Sequence, residues 1–159
     1  MPDFGIVVGG RMGAIEDLAR AAETGGYESV WVAETASSAF VQATLASRAT
    51  SRVKIGTNIA LAFPRSPTIT AMATRDLAEL SGGRFILGLG SQVKRINEHR
   101  FSVRFEHPAP KMAEYVDVVR KVLASFRGDA IDHRGRFYTV TMPPFPGADP
   151  VGDVPLYLA

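Results

Sequence analysis

The chain has 159 residues, 46% of them hydrophobic, and a formal net charge of +2 at pH 7. This length fits one globular domain spanning residues 1–159, and so small a charge does not call for a nucleic-acid surface. The sequence contains no cysteine, which excludes disulfides and thiolate chemistry and is typical of a reducing compartment. No apolar run approaches the roughly 20 residues of a membrane-spanning helix. We therefore expect a soluble, cytoplasmic protein.

Apolar runs and amphipathic segments alternate along the chain. Strands are predicted at FGIVVG, YESVWVAE, VKIGTNIAL, RFILGLG and PLYLA. Helices are predicted in AIEDLARAAETGG, in SSAFVQATLASRAT, from Ser66-Pro67 to Gly82, and in the long segment that contains KMAEYVDVVRKV. The stretch AIDHRGRFYTV predicts a small hairpin that turns near Arg134-Gly135.

The apolar spacing also predicts which helix faces are buried. In the second helix, a serine cap precedes one side formed by Phe40, Thr44 and Leu45. In the third helix, Ser66 is the predicted cap, and the predicted buried residues are Ile69, Met72, Ala73, Leu77 and Leu80.

This alternation predicts βαβ units and a parallel sheet whose strands are covered on both faces. Two architectures fit, an open doubly wound sheet and a piece of a (β/α)8 barrel. A dinucleotide-binding sheet would need G-x-G-x-x-G after the first strand, and the glycines in GGRMGA are spaced differently. A barrel needs about 250 residues, so the chain would supply about four and a half units.

In both architectures, ligands bind at the carboxyl ends of the strands. The residues at these ends are 8–10 after the first strand, Glu34 and Thr35 after the second, 58–60 in the third and 90–93 after the fourth.

The sequence resembles the luciferase-like flavin and deazaflavin oxidoreductases. The resemblance is carried by four motifs in order, GGYESVWVAET, VKIGTNIALAFPRSP, GGRFILGLGSQ and KMAEYVDVVRKV. The stretch RFILGLGSQVKRINEHRFSVRF is most similar to the actinobacterial enzymes that use the deazaflavin coenzyme F-420. The resemblance implies an α/β fold of the (β/α)8 TIM-barrel type, of which this chain forms the N-terminal half.

The resemblance also implies a non-prolyl cis peptide at Asn58-Ile59. In the family, this peptide forms a bulge that backs the central ring of the cofactor, and Ala60 belongs to it here. The residues alone allow an alternative, in which Asn58 is a polar group at a strand end and the loop is a plain βα connection.

The acid or base of the reaction is not assigned by the resemblance. The family usually has an acidic residue followed by histidine after the second strand, and Thr35 stands in the place of that histidine. Val93 stands in the place of the catalytic glutamate of the sugar-phosphate dehydrogenase branch. Glu34, Thr35 and Gln92 are the catalytic candidates, and Glu34 could equally be a structural carboxylate at the strand end.

The remaining candidates follow the fourth strand. Gly90 lets a ring approach closely, and Ser91 and Gln92 offer polar groups for its carbonyl and nitrogen edge. The predicted cofactor-binding residues are Glu34, Thr35, Asn58, Ile59, Ala60, Gly90, Ser91, Gln92 and Val93. No metal site is predicted, because the three histidines lack metal-ligand spacing.

The predicted function is hydride transfer between an organic substrate and coenzyme F-420. The alternatives are an FMN-dependent monooxygenase and a non-catalytic half-barrel that dimerises or binds a flavin-like ligand. The expected partners are a small-molecule substrate and a second copy of the chain, without nucleic acid or membrane. The dimer would pair through open strand edges or through an exposed inner face formed by Val30, Val32, Ile55, Ile86 and Leu89.

Overall fold

The computed structural model describes residues 4–145 and 152–159. The strands are β1 (Gly5–Val8), β2 (Ser29–Val32), β3 (Lys54–Thr57), β4 (Ala60–Leu61), β5 (Phe85–Gly90), β6 (Ile131–Arg134), β7 (Thr139–Met142) and β8 (Leu156–Leu158). The helices are a 3-10 turn (Met12–Ala14), α1 (Ile15–Thr24), α2 (Ala39–Ala49), α3 (Pro67–Leu80), α4 (Lys94–Arg100) and α5 (Pro108–Ser125). The predicted alternation is confirmed. The predicted third strand is divided into β3 and β4, and α4 was not predicted.

The chain forms two compact units. The first contains the described residues of 1–60, 76–90 and 151–159, and the second contains those of 61–75 and 91–150. Each unit is described by itself below, and the single domain over residues 1–159 stays a prediction.

The first unit is built on a parallel sheet. The strand order is β1-β2-β3-β5-β4, and β8 also pairs with β5. The pairs β1–β2, β2–β3, β3–β5 and β5–β8 are all parallel. In this register Val30 lies opposite Ile6 on one side and Ile55 on the other. The predicted parallel α/β fold is therefore confirmed.

The two faces of this sheet differ in composition. One face is apolar and at most 1% exposed at Val30, Val32, Ile55, Phe85, Leu87 and Leu89. The other, which we call the glycine face, carries Gly5, Val7, Ser29, Trp31, Gly56, Ile86, Gly88 and Tyr157. The predicted exposed inner face is therefore wrong at Val30, Val32, Ile55 and Leu89, because strand residues alternate and these four point away from Trp31. Ile86 shares the face of Trp31 but is only 5% exposed.

The predicted buried faces of two helices also need correction. The buried residues of α2 are Ala39, Gln42, Ala43, Ala46 and Ser47, whereas Phe40, Thr44 and Leu45 are half-buried. The helical period is present, but mostly small side chains form the buried stripe. In α3, Leu77 is buried as predicted, whereas Ile69, Met72 and Leu80 are exposed. The Ser38 side chain makes no capping bond, and Ser66 Oγ accepts from Ile69 N at 3.2 Å as predicted.

A polar clasp holds the segment 50–53, which joins α2 to β3. Arg84 donates to main-chain carbonyl oxygens at distances between 2.6 and 3.2 Å, those of Ser47, Thr50 and Val53. From the other side, Glu23 Oε1 accepts from the amides of residues 51–53 at 2.6–3.0 Å. Burial acts to raise the pKa of Glu23, but these amide donors outweigh it and lower that pKa. The amino end of β3 is thus fixed by ionic hydrogen bonds.

The second unit contains α4, α5 and the antiparallel hairpin of β6 and β7. Gly135 N donates to Tyr138 O at 2.9 Å, so the hairpin turns where the sequence predicts. In α5, Tyr115 is fully buried and its hydroxyl lies 2.5 Å from Thr70 Oγ1.

Glu114 of α5 anchors this hairpin. Its carboxylate accepts from Phe137 N at 3.0 Å and from Tyr138 N at 2.8 Å, and it lies 3.3 Å from His133 Nε2. Burial acts to raise the pKa of Glu114, but the amide donors and the histidine outweigh it and lower that pKa. Burial and the charge of Glu114 raise the pKa of Tyr138 to about 12.

Candidate functional site

A cavity of about 290 Å³ lies in the first unit, near the carboxyl ends of β3, β5 and β8. It is lined by Trp31, Thr57, Asn58, Ile59, Gly88, Tyr157, Leu158 and Ala159. Because α/β folds bind their ligands at this end of the strands, we take this cavity as the candidate site.

Trp31 forms one wall of the cavity. Its Nε1 donates to Ser29 Oγ at 2.9 Å, and its ring stacks on Tyr157 with centroids 6.0 Å apart. A Cβ at Gly56 would collide with the six-membered ring of Trp31, and a Cβ at Gly5 would lie 2.7 Å from its Nε1. Two glycines on neighbouring strands therefore give the indole room to lie against the sheet.

Asn58 and Ile59 form a second wall. The peptide between them is cis, as the resemblance implied. Asn58 N donates to Val32 O at 2.7 Å, and Ile59 O accepts from Glu34 N at 3.2 Å. These bonds tie both residues to the end of β2 and beyond it. A Cβ at Gly90 would collide with Ile59 Cδ1, so Gly90 makes room for the isoleucine side chain.

Thr57 and Gly88 join β3 to β5 beside the cavity. Thr57 Oγ1 donates to Gly88 O at 2.7 Å and accepts from Gly88 N at 2.9 Å. A Cβ at Gly88 would collide with Thr57 O, so only glycine fits at this position. Since Thr57 is 1% exposed and its hydroxyl is already bonded, it serves the sheet rather than a ligand.

Six of the nine predicted binding residues lie in the first unit, and only Asn58 and Ile59 line the cavity. Glu34 is half-buried and Thr35 is exposed, next to the peptide group that bonds Ile59. Ala60 has no exposed surface, so its side chain belongs to the core. The sequence interpretation missed Trp31, Thr57, Gly88 and Tyr157. The roles proposed for the predicted residues in cofactor binding stay predictions.

Ser91, Gln92 and Val93 belong to the second unit, where they form the loop before α4. Gln92 has a left-handed φ of 60°, and its Oε1 accepts from Val93 N at 3.0 Å. Ser91 Oγ donates to Gln92 O at 3.2 Å. The buried Asn97 donates through Nδ2 to Ser91 O at 2.8 Å and to Val93 O at 3.1 Å. The loop is therefore closed by its own side chains and by Asn97.

The chemistry of the cavity lining is mainly apolar. Among the residues that line it, Tyr157 is the one with a titratable side chain, and Asn58 adds an exposed amide. Such a lining can hold a planar ring, whereas a proton donor or acceptor for a reaction has to come from elsewhere.

The described residues were also searched for metal and membrane features. Across 4–145 and 152–159, no group of three or more histidine, aspartate or glutamate side chains could hold a metal ion. In the same ranges, no helix combines the length and the apolar character that crossing a bilayer requires.

The sequence profile of the family described as luciferase-like monooxygenase matches residues 4–159. The chain belongs to this family. An uncharacterized protein of Mycobacterium tuberculosis is 42% identical to the luciferase-like chain over 124 residues, which are 77% of this chain and 36% of the relative. A second protein of that organism, provisionally named a coenzyme F-420-dependent oxidoreductase, is 39% identical over 68% of this chain and 31% of its own length. The 5,10-methylenetetrahydromethanopterin reductase of Methanolobus tindarius is 32% identical over 91% of this chain and 43% of its own length.

Solved structures resemble the luciferase-like chain in fold. An F-420-dependent secondary alcohol dehydrogenase, in complex with an F-420-acetone adduct, superposes with a TM-score of 0.81 at 23% identity, over 97% of this chain and 51% of its own. The FMN complex of the oxygenating constituent of 3,6-diketocamphane monooxygenase from Pseudomonas putida has a TM-score of 0.75 at 17% identity, over 89% of this chain and 44% of its own. The luciferase-like fold class predicted from the sequence is thus confirmed. The chain spans less than half the length of each of the three relatives named above.

Proposed function

We propose that the protein is an oxidoreductase that transfers a hydride between an organic substrate and the deazaflavin coenzyme F-420. The observation that carries this proposal is the cavity at the carboxyl ends of β3 and β5, walled by Trp31 and by the Asn58-Ile59 segment. Two comparisons support it. A 39% identical relative is provisionally named an F-420-dependent oxidoreductase, and a fold neighbour holds an F-420 adduct.

The cavity fits a ring system better than a whole cofactor. Its volume of about 290 Å³ is at the lower end of the roughly 300–1,000 Å³ found for small-molecule sites. Trp31 and Ile59 would contact the faces of a deazaflavin, and the exposed Asn58 amide would meet a polar edge. When bound, F-420 would supply the carbon atom that carries the hydride. The protein residues would orient the ring and exclude water from it.

An FMN-dependent monooxygenase is the second candidate, favoured by the FMN complex among the fold neighbours. Its difference lies in the reaction with dioxygen rather than in the ring geometry. The third candidate is a non-catalytic half-barrel, which would bind a flavin-like ligand or a second copy of the chain without turnover.

A titration of the full-length protein with F-420 and, separately, with FMN tests the proposal. Trp31 is the single tryptophan of this chain and lines the cavity, so quenching of its fluorescence reports ring binding there. We expect F-420 to quench Trp31 and to bind more tightly than FMN. Tighter binding of FMN would favour the monooxygenase, and no quenching by either ligand would favour the non-catalytic candidate.

Two substitutions extend this test to the predicted ligands. Gln92→Ala and Thr35→Val are each expected to weaken F-420 binding by about 0.5–1.5 kcal/mol, the contribution of one neutral hydrogen bond. Both positions are at least partly exposed, so the fold should be retained. Unchanged affinity in both variants would argue against these residues as ligands.

We extend the proposal to location and partners. A cytoplasmic protein that takes a small organic substrate and forms a homodimer, without nucleic acid or membrane, agrees with the composition of the chain. Cell fractionation and sedimentation of the full-length protein test these points separately.

A further inference from the structure

Asn97 is a polar side chain in an unusual place. It is the only buried residue of α4, with no exposed surface, and the six other residues of this helix are half-buried or exposed. A buried amide is costly unless its polar atoms are bonded, so its partners indicate why the residue is there.

Both hydrogen bonds of the Asn97 side chain go to the loop before α4. Nδ2 donates to Ser91 O at 2.8 Å and to Val93 O at 3.1 Å. Since both partners are carbonyl oxygens, only the NH₂ end of the amide can face them, which fixes the orientation of the group. Val93 O also accepts from Asn97 N at 3.1 Å, so side chain and main chain grip the same carbonyl.

The other end of the same amide is left without a partner. Among the described residues, nothing bonds to Asn97 Oδ1, although this atom is buried. An unpaired buried acceptor is unfavourable. The loop contacts of Nδ2 are therefore the bonds that account for an asparagine at this position.

The loop that Asn97 holds needs an external support. Gln92, between the two bonded carbonyls, has a φ of 60°, in the left-handed region that residues other than glycine rarely adopt. Such a conformation persists where surrounding contacts determine it, and these residues often lie at ligand sites. Asn97 supplies two of those contacts, one on each side of Gln92.

We propose that Asn97 is a positioning residue, which holds the loop 91–93 in the conformation that presents Ser91 and Gln92 to the cofactor ring. This inference rests on the proposed function, because it takes the loop as part of the F-420 site. Asn97 would act through the loop and would not touch the cofactor.

The isosteric variant Asn97→Asp gives the sharpest test. An ionised aspartate has the same shape as asparagine but no donor for the two carbonyl oxygens. We expect it to raise the Kd for F-420 by about fivefold to 150-fold at about pH 8, the range for two lost hydrogen bonds. Burial favours the neutral carboxyl, which can donate one bond, so the loss should shrink at about pH 5. A purely structural role would not produce this recovery at low pH beyond that of the unsubstituted protein.

Two further variants control for stability. Asn97→Leu removes the amide without adding a charge, and it serves where Asn97→Asp does not fold. Ser125→Ala removes a buried hydrogen bond of the same unit, from Ser125 Oγ to Val122 O at 2.7 Å, without touching the loop. We expect Ser125→Ala to lower the melting temperature but to change the F-420 Kd less than twofold. If both asparagine variants bind F-420 as the unsubstituted protein does, the proposal is wrong.

Hydrogen exchange separates this inference from the proposed function. In the ligand-free full-length protein, Asn97→Leu should speed amide exchange in peptides that cover residues 91–94, and Ser125→Ala should not. If the unsubstituted protein binds neither F-420 nor FMN, the proposed function fails, and faster exchange still supports Asn97 as the residue that holds the loop. Unchanged exchange overturns the inference, whatever the titration gives.

Discussion

Replacing Gly56 by alanine tests the packing of the Trp31 wall. The new Cβ would overlap the six-membered ring of Trp31, so the strand must shift or the indole must leave the sheet. Either response changes the cavity, because Trp31 lines it.

The cost follows from the contacts that the structure gives Trp31. A strand shift of the kind that overpacking causes costs about 1–3 kcal/mol. Displacing the ring instead loses the bond to Ser29, about 0.5–1.5 kcal/mol, and the stacking on Tyr157, about 0.5–1.5 kcal/mol. Alanine offsets about 0.4–1 kcal/mol of this by restricting the unfolded chain. We therefore expect a net loss of about 1–2 kcal/mol in the free energy of unfolding.

Urea unfolding followed by tryptophan fluorescence measures both effects at once. The transition midpoint reports stability, and the emission of the folded state reports the surroundings of Trp31, the single tryptophan of the chain. Gly13→Ala is the matched control, because a Cβ at Gly13 would meet nothing within 4 Å. This control should unfold at the same urea concentration as the unsubstituted protein or slightly above it. If Gly56→Ala matches the control in midpoint and in emission, the packing argument is refuted.

Three other predictions concern the hairpin, the clasp and the oligomeric state. Glu114→Gln should destabilise the protein by about 1.5–3 kcal/mol, because the amides of residues 137 and 138 lose a charged acceptor. Since the folded state lowers the pKa of Glu114, its contribution is full above the ordinary glutamate pKa and is lost as the pH falls through the lowered value; melting temperatures at decreasing pH should therefore fall less steeply in the variant. Arg84→Lys should cost about 1–3 kcal/mol in urea unfolding, because one ammonium cannot replace the planar fork that reaches three carbonyls, and an unchanged midpoint would contradict this role. The 159-residue chain should sediment as a dimer, because Val7 and Tyr157 on the glycine face are 59% and 55% exposed, and a cooperatively folded monomer would count against that expectation.

Much of the fold could be predicted from local pattern. The apolar runs and the glycine stops locate β1, β2, β5 and α1, because burial on both faces of a parallel sheet leaves a continuous apolar signal. The helix α4 could not be found in this way. Its single buried residue is Asn97, so it has no apolar period, and it is held by hydrogen bonds to its own loop.

The candidate site was only partly predictable. Asn58 and Ile59 were identified through the family resemblance, not through their own chemistry. Trp31 could have been found from SVWV, since period-two alternation places it opposite Val30 and Val32. Tyr157 could not, because only the pairing of β8 with β5 brings it to Trp31, and such long-range pairing has no local signal.

The clasp made by Arg84 and Glu23 has a consequence for protein engineering. It secures the first unit at the amino end of β3, whereas Asn58 and Ile59 follow the opposite end of the same strand. Mutant libraries at positions 34, 35, 58 and 59 would therefore leave every bond of the clasp in place. Variants selected for new ligands from such libraries should retain the unfolding midpoint of the parent, so that ligand choice and heat resistance can be evolved in separate rounds.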